Sequence, residues 1–254
     1  MNFNKTSNPT LGEGIINRFS FAATDRPMTV QGSVNKTALL LALVVAGAAF
    51  TWSKVMGAVE GGTEVGINGW MKGGSIAGFI IAMVISFRQN LAPYLAPVYA
   101  ICEGLFIGAI SAYFEVMYPG LVMRAVLLTF SVMFALLFLY KMRIVKATQR
   151  FRTILVSATV GIAIAYLVTF IIGLFGVKMG FMYGGGSLGL ITSLIVVGVA
   201  ALNLVLDFDF IENGAESNLP AYFEWYAAFG LMVTLVWLYI EILRLLAIVA
   251  GRRD

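Results

Sequence analysis

The sequence predicts an all-α, polytopic membrane protein with seven transmembrane helices. The 254-residue chain is 60% hydrophobic and only 12% charged, with a mean hydropathy of +0.90, whereas soluble domains carry roughly 25% charged residues. The apolar residues form long runs with room for seven spans, since about 20 apolar residues cross the hydrocarbon core of a bilayer. Backbone polar groups within hydrocarbon must be satisfied internally, so these runs are predicted to be helices. The lipid bilayer is therefore the first predicted partner.

The first 37 residues are predicted to form a cytoplasmic tail, because they are polar and precede the first apolar run. A cleavable signal peptide has a different order, so none is expected. A short apolar patch with Ile15, Ile16, Phe19 and Phe21 leaves two interpretations open. The tail is either flexible throughout or carries one short interfacial helix.

Connections rich in glycine, proline and charge separate the seven apolar runs, as is typical of turns. The last run, 221–250, would be about 45 Å long as a helix, which exceeds the roughly 30 Å hydrocarbon core. We therefore expect its first residues to be interfacial and its span to begin near Phe229; a re-entrant last segment is the alternative. The predicted membrane domain is 38–250, followed by a short C-terminal tail at 251–254. Its spans are predicted at about 38–52, 70–87, 94–114, 121–140, 153–176 and 187–211, with the seventh inside 221–250.

The distribution of Lys and Arg predicts how the chain is oriented. The densest basic cluster lies between the fourth and fifth predicted spans, and the positive-inside rule places such a loop in the cytoplasm. With seven full spans, these five cations share the cytoplasmic side with five from the tail and the 2–3 turn, against six on the other side. A re-entrant last segment would move Arg252 and Arg253 inside as well. The five cations of the basic cluster are Lys141, Arg143, Lys146, Arg150 and Arg152.

Composition also excludes several classes of function. The chain has no histidine, so it lacks the side chain used most often to bind zinc or copper and to assist a catalytic Ser or Cys. Its one cysteine, Cys102, cannot form an intramolecular disulfide. No basic stripe is interleaved with exposed aromatics, so no nucleic-acid partner is expected. We expect neither an enzyme nor a tightly bound cofactor.

Five carboxylates lie within or at the edge of the apolar runs and are the candidates for function. A charged side chain at the centre of a bilayer costs about 3 kcal/mol on insertion scales, so such residues need an explanation. For the acids of the sixth span, the alternative is simple solvation among lipid headgroups at the helix end. For the acid of the third span, it is a protonated, interhelical hydrogen bond. The five are Glu103, Asp207, Asp209, Glu212 and Glu241.

Glu241 is flanked by apolar residues on both sides and falls near mid-membrane in the predicted span. Arg244 lies three residues further on, roughly on the same helix face, and could pair with it. Asp207 could approach Glu241 if the sixth span extends to about Ile211. Two carboxylates that share a low-dielectric site cannot both ionise cheaply and would share a proton. Their ionised oxygens suit Ca²⁺. Such a pair indicates a proton-sensitive cation path or a proton-coupled transporter.

Several motifs, taken together, resemble the transmembrane Bax inhibitor motif family, in its bacterial YccA-like branch. The resemblance covers roughly residues 38–250. The motifs are Pro-Val-Tyr-Ala at 97–100, Glu-Gly-Leu-Phe-Ile-Gly at 103–108, Leu-Asp-Phe-Asp-Phe-Ile at 206–211, Glu-Trp-Tyr-Ala-Ala-Phe-Gly at 224–230 and Leu-Tyr-Ile-Glu-Ile-Leu-Arg at 238–244. The resemblance implies a fold in which the last helix is central and six surround it. It also implies a place in the bacterial cell (inner) membrane, with the N-terminus in the cytoplasm.

The resemblance further implies a pH-sensitive, calcium-permeable leak channel, gated by a carboxylate pair on the sixth and seventh helices. Asp207 and Glu241 match that pair, as the proton sensors and as the ligands of a permeating Ca²⁺. An arginine of the second helix would latch the pair, and Arg88 is the positional match. The predicted supporting residues are Glu103, Asp209 and Arg244. The alternative function is that of a membrane interaction protein, a stress or protease modulator that binds membrane-protein partners without transporting ions.

Overall fold

The computed structural model describes residues 26–61, 67–175 and 187–252, and the described part is all-α. It contains seven long helices and one 3₁₀ turn, Gln89–Leu91. All seven are long and apolar enough to cross a membrane, which confirms the predicted fold class. The predicted tail before residue 26, the glycine-rich stretches 62–66 and 178–186, and the last two residues of the C-terminal tail lie outside the described residues. The helices are α1 (Val30–Glu60), α2 (Ile67–Phe87), α3 (Ala92–Met117), α4 (Leu121–Lys141), α5 (Gln149–Leu174), α6 (Ser187–Glu216) and α7 (Tyr222–Ala250).

Several helices extend beyond the apolar runs from which they were predicted. α1 begins at Val30, where the sequence predicted a start at residue 38, and α6 continues to Glu216 instead of ending near Ile211. At 1.5 Å per residue, these helices exceed the roughly 30 Å hydrocarbon core. Hydropathy marks only the part of a helix that lies in hydrocarbon, whereas backbone hydrogen bonding continues into the polar interface.

The last helix is the centre of the bundle, as predicted. α7 packs against α1, α3, α4 and α6, whereas α2 packs mainly on α3 and α5 mainly on α6. The other six helices therefore do not form a uniform ring, because two of them lie in an outer position. α7 is one continuous helix, which agrees with the prediction of a full seventh span over that of a re-entrant segment.

Helices α1 and α3 approach closely through small residues. A β-carbon on Gly104 would overlap the carbonyl oxygen of Val44, and one on Gly108 would overlap that of Ala48. Small residues at this spacing let membrane helices come into backbone contact. Gly104 and Gly108 therefore serve helix packing.

Successive helices run in opposite directions, so their termini lie at two ends of the bundle. We call the end at which α1, α3, α5 and α7 begin the proximal end, and the opposite one the distal end. The N-terminal segment is fixed at the proximal end, where the amide of Met28 donates a 2.6 Å hydrogen bond to the carbonyl of Leu219 in the α6–α7 turn. The basic loop between α4 and α5 lies at the same end.

Candidate functional site

Asp207 lies on α6 and lines a cavity of about 600 Å³ toward the proximal end, here called the proximal cavity. Its Oδ1 is 3.8 Å from the position that a β-carbon would take on Gly230 of α7. Its Oδ2 is buried and has no hydrogen-bond partner among the described residues. Buried polar groups normally have partners, so Oδ2 of Asp207 is an exception. The walls come from α5, α6, α7 and the α6–α7 turn, and include Arg152, Val156, Leu206, Phe210, Tyr226 and Phe229.

One residue of the proximal cavity, Arg152 at the start of α5, forms an ion pair with α6. Arg152 places its Nη2 2.6 Å from Oδ2 of Asp209. One turn along α6, Glu212 pairs with Arg143 at 2.5 Å and accepts a hydrogen bond from Tyr140. Asp209 and Glu212 are thus paired instead of merely solvated. The sequence does not reveal these partners, because 57 and 69 residues separate them along the chain; only the shared end of the bundle indicates that they could meet.

Glu241 is buried at 3% exposure and belongs to a different cluster. Its Oε1 accepts a 2.5 Å hydrogen bond from the hydroxyl of Tyr166 on α5. Its Oε2 lies 3.2 Å from Nη2 of Arg244, an ion contact without hydrogen-bond geometry. Nη1 of Arg244 donates a 2.9 Å hydrogen bond to the same Tyr166 hydroxyl. The predicted Glu241–Arg244 pair therefore exists, and Tyr166 is a third member that sequence reasoning missed.

The structure does not bring Asp207 and Glu241 together. Asp207 is level with Gly230, and Glu241 lies eleven residues further along α7, about 16 Å by helix rise. The reason is the unequal distance of the two acids from the α6–α7 turn. Asp207 is nine residues before the end of α6, while Glu241 is nineteen residues after the start of α7. In neighbouring antiparallel helices, such positions fall at different depths.

Arg88 and Glu103 also lie apart from both acids. Arg88 is exposed in the turn after α2 and forms no ion pair among the described residues. Glu103 faces α2, where its Oε2 is 3.1 Å from the position of a β-carbon on Gly78. The latch and supporting roles proposed for these two residues remain predictions. The structure shows Glu103 at the α2–α3 interface.

Nearly the whole sequence matches one protein family. The family model described as "Bax inhibitor 1 like" matches residues 5–251, almost the whole chain. The chain belongs to the Bax inhibitor 1 like family. No curated protein and no solved structure matches it.

Two motifs of this Bax inhibitor 1 like protein meet at the proximal cavity. Residues of 206–211 on α6 face residues of 224–230 on α7 across it. The third motif of this part of the chain, 238–244, carries Glu241 and lies deeper along α7. Two of the five motifs therefore meet beside Asp207, where the first turns of α7 face α6.

Glu224 is a buried acid that sequence reasoning did not select. It lies in the first turn of α7 and is 7% exposed. Its Oε1 accepts 2.8 Å hydrogen bonds from both the amide and the hydroxyl of Thr29, the residue that caps α1. Its Oε2 pairs with Lys36, whose ammonium also lies 5.5 Å from the ring centre of Trp225. The sequence shows that Thr29 is a suitable N-cap residue. It does not reveal that Glu224 is the partner of Thr29.

The described part of this Bax inhibitor 1 like protein has no cluster of side chains that could hold a metal ion. Within the described ranges, no three Cys, Asp or Glu residues form a group that could hold a metal ion. A stable Ca²⁺ site normally takes six to eight oxygen ligands. The polar residues that line the proximal cavity are Arg152, Asp207, Asn213, Ser217 and Tyr226, so its wall carries one carboxylate and one guanidinium.

Proposed function

We propose that this protein is a pH-sensitive, calcium-permeable leak channel of the Bax inhibitor type, in which Asp207 is the cation-binding carboxylate. We place it, as a YccA-like member, in the bacterial inner membrane with the proximal end in the cytoplasm. The observation that carries the proposal is that Asp207 lines the proximal cavity while its Oδ2 has no hydrogen-bond partner among the described residues. The basic loop at that end supports the orientation.

Charge compensation distinguishes Asp207 from its neighbours. Asp209 is neutralised by Arg152, Glu212 by Arg143 and Glu241 by Arg244. An unpaired carboxylate inside a membrane domain is expensive to keep. A hard divalent cation or a proton offsets this charge, and both can reach it through the cavity.

Competition between these two ions gives the proposed pH sensitivity. The chain has no histidine, so a carboxylate must take the proton. Protonation of Asp207 removes the negative charge that attracts Ca²⁺, and the flux therefore falls as the pH falls. A single acid is sufficient for this response. Glu241 acts separately in this proposal, by holding α5 to α7 through Tyr166.

The test is Ca²⁺ flux through proteoliposomes loaded with an indicator dye. Asp207→Asn should reduce the flux at least tenfold. Glu216→Gln is the matched control, because Glu216 is an exposed acid at the end of the same helix and its loss should leave the flux within twofold. Wild-type flux in the Asp207→Asn protein would remove Asp207 from the path. No flux above that of empty vesicles for the wild type would reject the channel.

A second candidate function is that of a regulatory membrane protein that binds partners without transporting ions. It is favoured by the attachment of the N-terminal segment to the start of α7, through Thr29, Lys36 and Glu224. A membrane-protein partner held by the tail would thereby act directly on the central helix. Absence of flux in the wild type, combined with a partner that is lost when residues 2–25 are deleted, would support this function over the leak channel.

A further inference from the structure

A second cavity, of about 410 Å³, lies toward the distal half of the bundle between α1, α3, α4 and α7. We call it the lateral cavity. Its back wall is the central helix, at Leu235, Val236 and Tyr239, together with Ser111 of α3. The remaining lining is mostly aliphatic, with Trp52 and Phe130 as the aromatic members.

The lining of the lateral cavity offers almost nothing to a polar ligand. The hydroxyls of Ser111 and Tyr239 are 2.6 Å apart and satisfy each other. The hydroxyl of Thr129 donates to the carbonyl of Ala125 at 2.8 Å. Apolar cavities of this kind do not hold water, because water needs polar partners. The cavity therefore suits a hydrocarbon ligand.

The mouth of the lateral cavity opens to the side, between α1 and α4. Both helices contribute to the lining, but they do not pack against each other as α1 and α3 do. Val45 of α1 is 62% exposed and Phe130 of α4 is 36% exposed, and both line the cavity. In a membrane-spanning bundle, this surface faces lipid, so the cavity is continuous with the bilayer-facing surface.

We propose that one acyl chain of a membrane phospholipid enters the lateral cavity from the bilayer and contacts the central helix. This occupant fits because the lateral cavity is continuous with the lipid-facing surface and has almost no free polar groups. A helix of a second copy does not fit, since a helix is about 10–12 Å wide and one turn of it would fill the cavity. The lipid tail instead gives the side chains of α7 van der Waals contacts that an empty cavity would not provide.

The proposal is tested by photolabelling in vesicles of phosphatidylcholine that carries a diazirine at mid-chain. Cross-links are mapped by mass spectrometry of the purified wild-type protein. Labels on the back wall, at Ser111, Val236 or Tyr239, are expected, because these residues are buried and ordinary surrounding lipid does not reach them. Labels confined to the outer surface, at residues outside the cavity such as Leu127, which is 60% exposed on α4, would overturn the proposal.

A cavity-filling variant sharpens this test. Val126→Trp should remove at least nine-tenths of the back-wall labels and leave labels on the outer surface unchanged. The matched control is Val160→Trp, at an exposed site of α5 outside the cavity, which should leave both classes of label intact. If Val126→Trp fails to fold, Ala49→Phe fills the same space from the exposed side of α1. Persistent back-wall labels in a folded, filled variant would contradict the proposal. This readout does not depend on ion flux, so it stands or falls separately from the leak function.

Discussion

The Asp207 carboxylate lies against Gly230 on the central helix, with Oδ1 3.8 Å from the site of a missing β-carbon. Eleven residues further along α7, Glu241 is held by Tyr166 and Arg244. The two acids thus occupy separate environments, one open to a cavity and unpaired, the other enclosed and paired. This difference determines what each substitution below is expected to do.

Gly230→Ala should narrow the proximal cavity without harming the fold. At 3.8 Å from Oδ1 of Asp207, the added methyl group makes an ordinary van der Waals contact, and alanine favours a helix by about 1 kcal/mol over glycine. We expect an unchanged or higher unfolding temperature in detergent and a Ca²⁺ flux reduced several-fold. An unchanged flux would show that ions do not pass this point.

Gly104→Ala, in contrast, should lower the stability of the protein. Its β-carbon would overlap backbone atoms of Val44 and lie near Gly47, so α1 and α3 must separate. Overpacking of this kind costs typically 1–3 kcal/mol. Thermal unfolding should show a clear loss of stability. Gly198→Ala is the control, since nothing lies within 4 Å of its β-carbon position; equal stability of the two variants would contradict the close-packing interpretation.

Arg152→Gln should raise the Ca²⁺ flux, because it removes a positive charge that lines the proximal cavity and leaves its partner Asp209 as an uncompensated negative charge. The effect should be about two- to fivefold at low salt and should weaken as ionic strength rises, since the Debye length is only about 10 Å at 0.1 M. Stability should change by less than about 1 kcal/mol, because the pair is partly exposed. Flux is the measurement, at 20 and 200 mM salt.

The exchanged pair Arg152→Asp/Asp209→Arg is the control for this prediction. It restores an ion pair of zero net charge at these two positions and should return the flux toward the wild-type value. If the single and exchanged variants behave alike, local charge does not govern entry to the cavity.

Arg244→Gln should destabilise the protein by about 3–5 kcal/mol, because it leaves Glu241 as an uncompensated charge among apolar residues. The double variant Glu241→Gln/Arg244→Gln should recover most of this loss, since both charges are then absent. A double-mutant cycle of unfolding temperatures measures the coupling. Additive effects in that cycle would mean that the two side chains do not interact.

The pH profile of Ca²⁺ flux separates Asp207 from Glu241. In the wild type, flux should fall as the pH decreases, because protons replace Ca²⁺ at Asp207. Asp207→Asn should give a low and flat profile, whereas Glu241→Gln should keep the wild-type slope even if its maximum is lower. If the pH dependence of Ca²⁺ flux disappears only in Glu241→Gln, the proton sensor is Glu241 and not Asp207.

The fold was largely predictable from the sequence, and the site only in part. Long apolar runs identify the helices, and the resemblance to a family supplied the central position of α7. Runs of hydropathy do not report depth or rotation, and each residue turns a helix face by about 100°. The predicted approach of Asp207 to Glu241 depended on both quantities. The partners Arg152 and Tyr166 were equally hidden, because only the packing of α5 on α6 places them beside α6 and α7.

The contact between Thr29 and Glu224 joins residues that are 195 positions apart, at the two ends of the membrane domain. Of the seven described helices, a ribosome makes the central one last. The start of α1 therefore waits for its acceptor until the other six helices have been made. Early pairs such as α1–α3 can assemble at once, but the bundle gains its centre in a single late step. We therefore expect the bundle to stay open until α7 enters it.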